Sequence, residues 1–305
     1  MSFELTILGN SSATPTTDRH PSAQYLNFLD HHIVIDCGEG TQTQLRKYKI
    51  KKSKIEYIFI SHVHADHILG LPGLLFSMNL MQRTTPLHIY APASVFEILD
   101  LFFFHAGTKL HFEINKHITN HTKTEVIFED AFLKVTSFPL FHRVATSGFI
   151  FEERSRLRKI NVNACERFHV PFTSFNDLKR GKDFISADGK TIIENHKLTF
   201  EKGEPIKYAY ASDTVFDERV AASVEGVDLL YHECTFAHDK LDRAIETMHT
   251  TAVQAGKIAQ LAKVKKLLIG HFSSRYEDLN VLLKETKTEF ENTEIAEEGK
   301  MFEME

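Results

Sequence analysis

Ser61-His-Val-His-Ala-Asp-His67 contains four side chains that can bind a metal within one short run. The residues before it, 55–60, are apolar and rich in isoleucine and aromatic residues, which predicts a buried strand. The residues after it begin Gly70-Leu-Pro-Gly73 and then predict a helix over 71–81. The run is therefore predicted to form a loop at the carboxyl end of a strand, where α/β proteins build their sites.

The ligand types in this loop favour zinc or a similar ion, because imidazole nitrogens and carboxylate oxygens are the ligands that such ions prefer. The four residues could bind one ion, or His62 and His64 could bind one ion while Asp66 and His67 bind another. A solvated His-rich surface loop is the alternative. It is disfavoured because such loops do not usually follow a buried strand or carry an embedded aspartate.

The composition predicts one large globular domain or two tightly packed halves. Of the 305 residues, 42% are hydrophobic and 25% are charged, and no apolar run reaches the roughly 18 residues that a membrane span needs. The first residues form a predicted strand without a basic segment, so they do not resemble a signal peptide. The three cysteines have no CxxC spacing, which favours a reducing, cytoplasmic setting.

The charge of the chain is unevenly distributed. The net charge is −5, yet residues 154–182 carry eight basic and two acidic side chains, a net charge of +6. The basic residues are Arg154, Arg156, Arg158, Lys159, Arg167, Lys179, Arg180 and Lys182. They lie in a stretch with poor hydrophobic periodicity, residues 152–200, which is predicted to be an insertion within a single domain spanning residues 1–305. The insertion could be a solvated loop, but the interleaved Phe168, Phe172 and Phe175 favour an arm that grips a polyanion.

The remaining pattern predicts a strand-rich α/β fold in two comparable halves, with two sheets face to face and helices outside. The predicted strands are residues 3–8, 24–29, 32–36, 55–60, 87–90, 125–128, 133–138, 148–151, 207–211, 229–231 and 266–269. The predicted helices are residues 41–48, 71–81, 93–104, 217–223, 251–262 and 276–288.

Three further polar residues follow apolar strands at the point where each strand stops. They are His142, Asp213 and His271. Each one alone is more often a surface or turn residue than a ligand. Together with the 62–67 loop they supply five histidines and two aspartates, which is enough for two ions.

Several ordered motifs carry a resemblance to a known family. They are Leu8-Gly-Asn-Ser-Ser-Ala-Thr-Pro15, Asp36-Cys-Gly-Glu-Gly-Thr-Gln42, the 62–67 loop, Ser212-Asp-Thr214, His232-Glu-Cys-Thr-Phe236, Met248-His-Thr-Thr251 and Gly270-His-Phe-Ser-Ser-Arg-Tyr276. In this order they resemble ribonuclease Z, the tRNA 3′-processing endonuclease family of the metallo-β-lactamase superfamily. The resemblance covers residues 3 to about 276.

The resemblance implies an αββα sandwich of two mixed sheets that holds two zinc ions per subunit. The first ion would be held by His62, His64 and His142, and the second by Asp66, His67 and His271, with Asp213 bridging both. A water activated between the metals would attack the phosphate. Asp66 would accept the proton of this water. His249 would protonate the leaving oxygen, and Glu233 would orient His249.

The resemblance also implies a substrate and an assembly. The substrate would be precursor tRNA, cleaved 3′ of the discriminator nucleotide, and the protein would be a homodimer in which the insertion of one protomer serves the active site of the other. The predicted substrate contacts are Arg275, Arg19, Arg154, Arg156, Arg158, Lys159, Lys179, Arg180 and Lys182. Arg275 could instead join the dimer contact. The family's Pro-x-Lys-x-Arg-Asn loop is matched only at Pro15 and Arg19.

Two alternatives remain open from the sequence. One is a phosphodiesterase of the same fold that acts on small phosphodiesters without tRNA specificity. The other is a metal-stabilised RNA-binding protein without catalysis. Cleavage of precursor tRNA distinguishes both from the first interpretation.

Overall fold

A computed structural model describes residues 3–154, 157–201 and 203–304 of the chain. Arg156, one of the predicted RNA-binding cations, lies outside the described residues. The chain divides into two compact units. We call Met1–Glu152 with Lys207–Glu305 the sandwich unit, and Glu153–Ile206 the arm.

The strands and helices alternate along most of the chain. The strands are β1 Phe3–Gly9, β2 Ala23–Phe28, β3 His31–Cys37, β4 Tyr57–Phe59, β5 Leu87–Ala91, β6 Ile114–Ile118, β7 Glu125–Glu129, β8 Leu133–Leu140, β9 Thr146–Glu153, β10 Lys159–Ile160, β11 Phe184–Ile185, β12 Ile192–Ile193, β13 Thr199–Phe200, β14 Lys207–Ala211, β15 Leu229–Glu233, β16 Lys266–Gly270, β17 Thr293–Ile295 and β18 Met301–Met304. The α-helices are α1 Thr41–Lys47, α2 Ala65–Ile68, α3 Gly70–Leu80, α4 Ala93–His105, α5 Val162–Arg167, α6 Phe175–Lys179, α7 Asn195–Leu198, α8 Glu218–Ser223, α9 Leu241–Thr247, α10 Ala252–Leu261 and α11 Asn280–Lys287.

The sandwich unit contains two mixed sheets of seven strands each. Their orders are β18-β1-β2-β3-β4-β5-β6 and β17-β16-β15-β14-β9-β8-β7. In the first sheet β3 to β6 are parallel, and in the second β14 to β17 are parallel, while antiparallel pairs fill the rest. The two-sheet α/β class predicted from the sequence is therefore confirmed.

The two sheets pack face to face through aromatic side chains. The ring of Phe59 on β4 lies 5.4 Å from that of Phe149 on β9, and the ring of Phe3 on β1 lies 5.6 Å from that of Tyr208 on β14. Such edge-to-face pairs suit the ring quadrupoles and bury large apolar areas. This contact layer fixes the ends of the strands in both sheets relative to each other.

Helices cover the outer face of each sheet. On the first sheet, buried side chains of α1, α3 and α4, such as Leu45, Leu74 and Leu99, belong to one core cluster with the strands. On the second sheet, α8, α10 and α11 form an equivalent cluster, which includes Ile258 and Leu282. Burial of a leucine of this kind stabilises the fold by roughly 1.5–3 kcal/mol. Among the described residues, no helix has the length and apolar character that crossing a bilayer requires.

Strands β6 and β17 were not predicted from the sequence, and three further features of the sandwich unit differ from the prediction. The first sheet is completed by β18 from the end of the chain, paired with β1, so the two sheets are not formed by separate halves of the sequence. The strand predicted at 55–60 is shorter, because Ile55 closes a turn on Lys52. The last helix begins at Asn280 rather than at residue 276, since Tyr276 is in a turn closed on the carbonyl of Ser273.

The arm has a small core of its own. Ala164, Cys165, Val170, Leu178, Ile193 and Leu198 form it. Asn195 is buried beside this core, where its side-chain amide donates to the carbonyls of Leu178 and Lys182. The insertion predicted at 152–200 was expected to have little periodicity, and the structure shows why: it consists of two-residue strands and helices of at most six residues.

The three cysteines are free and buried. Cys37 and Cys234 lie in the sandwich unit, and Cys165 lies in the arm.

Candidate metal centre

Strand ends of both sheets deliver the predicted ligands to one place. The 62–67 loop follows β4 in the first sheet, and its last residues form the short helix α2. His142, Asp213 and His271 follow β8, β14 and β16 in the second sheet. Because β14 and β16 run in the same direction, their carboxyl ends reach the same edge.

Two glycines allow the backbone to close tightly behind the ligand loop. A Cβ atom on Gly38 would lie 2.4 Å from the carbonyl oxygen of Asp66, and a Cβ on Gly70 would lie 2.1 Å from that of Gly38. Any other residue would have to push these segments apart. Gly38 and Gly70 therefore allow the 62–67 loop to lie directly against the end of β3 at Cys37.

The first ligand group consists of His62, His64, His142 and Asp213, whose ligand atoms all lie within 4.8 Å of one another. His64 Nδ1 is 3.0 Å from His62 Nε2 and 3.2 Å from His142 Nε2. Asp213 Oδ2 lies 3.6 Å from His62 Nε2 and 3.7 Å from His142 Nε2. Three imidazoles and one carboxylate oxygen thus converge on one point.

The second ligand group consists of Asp66, His67 and His271. His271 Nε2 lies 3.3 Å from Asp66 Oδ2, and His67 Nε2 lies 3.5 Å from the same oxygen. Asp213 contributes here through its other oxygen, Oδ1, which is 3.4 Å from His67 Nε2 and 3.2 Å from His271 Nε2. The two carboxylate oxygens of Asp213 therefore face different groups.

The opposite ring nitrogen of four of the histidines has a hydrogen-bond partner that fixes the ring. His67 Nδ1 donates to Asp36 Oδ2 at 2.7 Å, and His142 Nδ1 donates to the carbonyl of Met248 at 2.8 Å. The Nδ1 atoms of His62 and His271 contact the hydroxyls of Ser61 and Thr235. This arrangement is typical of metal-binding histidines, because it directs the free lone pair toward the ion.

The donor set fits a metal. His67 Nε2 is buried without a hydrogen-bond partner among the described residues. His64 Nδ1 faces the Nε2 atoms of both His62 and His142 and can donate a hydrogen bond to only one of them. Unprotonated nitrogens about 3 Å apart repel each other, and a shared cation would turn that repulsion into attraction. Nitrogen and carboxylate ligands of this number are those of zinc and its neighbours.

Burial and charge set the protonation of these groups. Burial lowers the pKa of His62, His64 and His142, which keeps their lone pairs available. Burial alone would lower the pKa of His67 as well, but the carboxylates of Asp213, Asp66 and Asp36 outweigh it and raise that pKa well above its usual range. The negative field that attracts a proton to His67 also attracts a metal cation.

The half-buried His249 and the buried Glu233 form a pair beside the ligand groups. Glu233 Oε1 accepts from His249 Nδ1 at 2.9 Å, and its other oxygen accepts from the hydroxyl of Thr235 at 2.7 Å. Burial would lower the pKa of His249, yet the Glu233 carboxylate outweighs this and raises it to about 9. The backbone after His249 is fixed by a capping box between Thr251 and Gln254, which begins α10.

A cavity of about 360 Å³ opens over the centre. Asp66, Asp213 and His249 line it, together with two cations that the sequence did not single out, Arg143 and Arg243. Arg143 directly follows the predicted ligand His142, and this position in the sequence could have identified it as a cation of the site. Arg243 lies on α9, six residues before His249, and nothing in the pattern marked it.

A second feature missed in the sequence is the backbone N–H of Ala13, which donates to Asp66 Oδ2 at 2.7 Å. Ala13 has a positive φ of 62°, a conformation that orients this N–H toward the carboxylate. The loop of residues 10–22 is thus tied to the ligand groups. Its composition gave no sign of the contact, because the donor is a backbone atom.

The predicted substrate contacts lie outside this cavity's lining. Arg275 is exposed, with its guanidinium 5.1 Å from the ring of Phe236. Arg19 donates to the carbonyls of Ser273 and Tyr276 and holds the loop after His271. The described arm cations are exposed or half-buried on their own unit: Arg154, Arg158, Lys159, Lys179, Arg180 and Lys182. Their assignment to substrate stays a prediction.

Known proteins resemble this chain over nearly its whole length. The family model described as Anti-Pycsar protein Apyc1 matches residues 3–293. A ribonuclease Z of Bacteroides fragilis is 44% identical over 300 residues, which cover 97% of both chains. The short form of human tRNase Z has a similar structure, with a TM-score of 0.70, 26% identity and coverage of 98% of both chains.

The fold is shared more widely. The metallo-β-lactamase fold protein YhfI of Bacillus subtilis superposes with a TM-score of 0.71 over 100% of both chains at 20% identity. The two seven-stranded sheets accord with that fold. The extent and identity of the match to curated relatives show that the chain belongs to the ribonuclease Z family of metallo-β-lactamase-fold proteins.

Proposed function

We propose that this chain is a metal-dependent endoribonuclease that removes 3′ trailers from tRNA precursors. It would cut 3′ of the discriminator nucleotide and leave a 3′-hydroxyl on the tRNA and a 5′-phosphate on the trailer. One observation carries the proposal: two groups of ligand-type side chains share Asp213 in a chain that is 44% identical to a ribonuclease Z.

The metals that we propose are two zinc ions per subunit. His62, His64 and His142 would hold one ion, and Asp66, His67 and His271 the other, with Asp213 contributing one oxygen to each. Such a pair, when bound, supplies a nucleophile at neutral pH and offsets the charge of the phosphoryl oxygens. Elemental analysis of protein purified without added metal tests both identity and number. A count near one ion, or a metal other than zinc, would contradict this part.

The residues around the centre can move the protons that hydrolysis requires. Asp66 lines the cavity and is the proposed acceptor of the proton from the attacking water. His249 is the proposed donor to the leaving 3′ oxygen, since its Nδ1 is engaged by Glu233 and its other ring nitrogen remains for the substrate. Glu233 holds this ring in place and keeps it protonated, as its effect on the pKa of His249 indicates.

The arm is the proposed device for holding the tRNA body. Its described residues expose several cations, and two phenylalanines, Phe168 and Phe172, are exposed among them. Phosphate contacts by lysine and arginine supply much of the affinity of RNA-binding proteins. A small phosphodiester has no tRNA body, so its hydrolysis should not depend on the arm.

The structure suggests a clean way to remove the arm. Glu152 on β9 lies opposite Lys207 on β14, and the next residues, Glu153 and Ile206, are joined by a backbone hydrogen bond of 2.9 Å. Replacing residues 154–205 with Asn-Gly would join the two antiparallel strands by a tight turn that such pairs favour. The shortened protein keeps every residue of the ligand groups.

The expected result is loss of precursor tRNA cleavage with little change in hydrolysis of bis-p-nitrophenyl phosphate. Equal loss of both activities would show that the arm does not act as an RNA-binding device. Full retention of tRNA cleavage would instead support a phosphodiesterase whose RNA recognition lies elsewhere. Unchanged metal content and a cooperative thermal transition serve as controls for folding.

A homodimer is the proposed assembly. Exposed apolar side chains on α3 and α4, among them Leu80, Leu101 and Phe104, support a buried contact between copies. If the arm of one protomer serves the active site of the other, mixing the arm-deleted protein with a His64→Ala protein should restore tRNA cleavage. Each parent alone would be inactive toward tRNA. If heterodimers are demonstrated by mass and the mixture still does not cleave precursor tRNA, the arm of one protomer does not serve the active site of the other.

The decisive experiment is incubation with a precursor tRNA that carries a 3′ trailer, followed by mapping of both ends. We expect one cut 3′ of the discriminator nucleotide. Hydrolysis of bis-p-nitrophenyl phosphate without any cut in the precursor would favour the alternative of a small-phosphodiester enzyme.

A further inference from the structure

A second cleft begins where the cavity over the ligand groups ends. Its volume is about 760 Å³, and His142 and Arg143 line both spaces. Parts of the sandwich unit form its walls: residues 121–124 before β7, residues 139–145 around the end of β8, Arg219 with Ser223 on α8, and Met248. The cleft therefore continues directly from the place where a scissile phosphate would bind.

The charge of this cleft is opposite to that of the chain. Lys123, Arg143 and Arg219 line it, and none of the described lining residues is an aspartate or a glutamate. The chain as a whole has 41 acidic and 36 basic residues, so a lining free of carboxylates is a local exception. A cleft of this kind concentrates anions.

The cations of the cleft have partners that a phosphate can replace. Lys123 pairs with Glu125 at 2.7 Å, and Arg219 pairs with Asp217 at 2.6 Å. The lysine and arginine side chains are 60% and 71% exposed, so solvent and salt screen both pairs, the second of which is formed through two guanidinium nitrogens. Arg143 donates to the carbonyl of Glu246 through one nitrogen and has further N–H groups to offer.

The cleft also contains a stacking platform. The guanidinium of Arg219 lies 3.8 Å from the ring centroid of the half-buried Phe141. Planar guanidinium groups and aromatic rings are the surfaces on which unpaired RNA bases stack. Phe141 is fixed by two backbone hydrogen bonds, one from its N–H to the hydroxyl of Thr214 and one from Val215 to its carbonyl. The platform is thus attached to the residues that follow Asp213.

We propose that this cleft, which we call the trailer cleft, binds the unpaired nucleotides on the 3′ side of the scissile phosphate. This inference rests on the proposed function and adds the position of the leaving strand. The volume suits a ligand the size of one or two nucleotides and is too small for a duplex. On the tRNA side of the cut only the discriminator is unpaired before the acceptor stem begins, whereas the trailer is single-stranded, so the trailer is the part that fits.

The test compares precursors whose trailers are one and five nucleotides long. The measured quantity is the ratio of kcat/KM for the longer trailer to that for the shorter one. In Arg219→Glu we expect this ratio to fall by roughly 10-fold, the size of effect expected for one stacked base. Lys123→Glu, in a different segment of the lining, should lower the ratio in the same direction.

Lys263→Glu is the matched control, because Lys263 is an exposed lysine paired with Glu225 and lies outside the cleft lining. Its ratio should equal that of the unmodified protein. Hydrolysis of bis-p-nitrophenyl phosphate reports separately on the ligand groups. If Arg219→Glu lowers the rate of that hydrolysis, the substitution has disturbed the ligand groups. The test of the trailer cleft then depends on the ratio measured with Lys123→Glu.

Three outcomes would overturn the trailer cleft. Unchanged kcat/KM values for both trailer lengths in both variants would show that the trailer does not contact the cleft. An equal fall for both trailer lengths would place the tRNA side there instead. A photo-crosslink from 4-thiouridine at the second trailer position that maps away from residues 121–124 and 139–145 would exclude the path directly. Absence of any cleavage of precursor tRNA by the unmodified protein would be a failure of the proposed function itself, which the ratio does not address.

Discussion

The ligand groups and the arm hold their polar residues in opposite ways. Around Asp213 most side chains are buried, and four of the five histidine rings that face the centre have a partner on the opposite nitrogen, as His67 has in Asp36. In the arm the cations are exposed or half-buried around a small apolar core. Chemistry at a phosphorus atom requires positions accurate to a fraction of an ångström, whereas attraction of a polyanion requires mainly charge. Substitutions should therefore have large effects in the first region and graded effects in the second.

The largest effect is expected for Asp213→Ala, since its two oxygens contact both ligand groups. We expect loss of bound metal and a fall in activity of about 10³-fold or more, because a catalytic metal contributes several kcal/mol to transition-state stabilisation. The loss should be the same for precursor tRNA and bis-p-nitrophenyl phosphate. Metal content and both rates are measured. Asp239→Ala, at an exposed aspartate, is the control. Retention of both metals in Asp213→Ala would contradict the expectation that substitutions in the ligand groups have the largest effects.

A smaller effect is expected for His249→Ala. General acid catalysis contributes about 10²–10⁴-fold, so precursor tRNA cleavage should fall within this range with metal content retained. The p-nitrophenolate leaving group needs no proton, and hydrolysis of its diester should fall much less. The readout is the ratio of the two rates. Equal loss on both substrates would show that His249 supports the ligand groups rather than protonating the leaving oxygen.

Asp36→Asn should act indirectly, through His67 and the start of the 62–67 loop, which Asp36 holds in place. Asp36 Oδ2 accepts from His67 Nδ1 and from the Tyr210 hydroxyl at 2.6 Å, and Oδ1 accepts from the Ser61 N–H at 2.7 Å. An amide has one acceptor oxygen and cannot keep the bonds on both sides. Loss of such an orienting partner typically lowers metal affinity by about 10–100-fold. Competition with a chelator measures the affinity. Asp130→Asn is a matched control, because Asp130 also pairs with a histidine, His31, away from the centre. Equal affinities in the two variants would contradict the orienting role.

The smallest effects are expected in the arm. Lys179→Ala and Lys182→Ala should each weaken precursor tRNA binding by less than about 10-fold without changing kcat on the small diester. Each lost phosphate contact should reduce the slope of log K against log salt by about one. Fluorescence anisotropy over a salt series measures this slope. A slope that does not change in the double variant would show that these lysines do not contact phosphate.

The sequence predicted the parts of the molecule in which local pattern and chemistry coincide. The 62–67 loop could be identified because a buried strand precedes it and four of its six residues are of a ligand type. His142, Asp213 and His271 could be identified because each ends an apolar strand. The structure brings all seven into two groups, although their roles as ligands stay a prediction.

The parts that the sequence did not predict depend on contacts between distant residues. The strand β18 has four residues and becomes a strand only through pairing with β1. Thr235, whose hydroxyl contacts both Glu233 and His271, looked like an ordinary residue of its motif. Arg243 and the N–H of Ala13 reach the centre through the packing of a helix and a loop. No local periodicity marks such contacts, because they are determined by tertiary structure.

The buried cysteines allow the free energy of local opening to be measured separately in each unit, which an activity assay cannot do. Burial raises the pKa of Cys37 to about 12 and also raises that of Cys165, so neither thiol is reactive while its surroundings are folded. Cys165 belongs to the arm core, and Cys37 belongs to the sandwich unit. Modification of each thiol by a water-soluble reagent therefore requires local opening, and its rate measures the free energy of that opening. The natural sequence thus carries a separate thermodynamic probe in each unit, and identification of the labelled peptides would show which unit opens first.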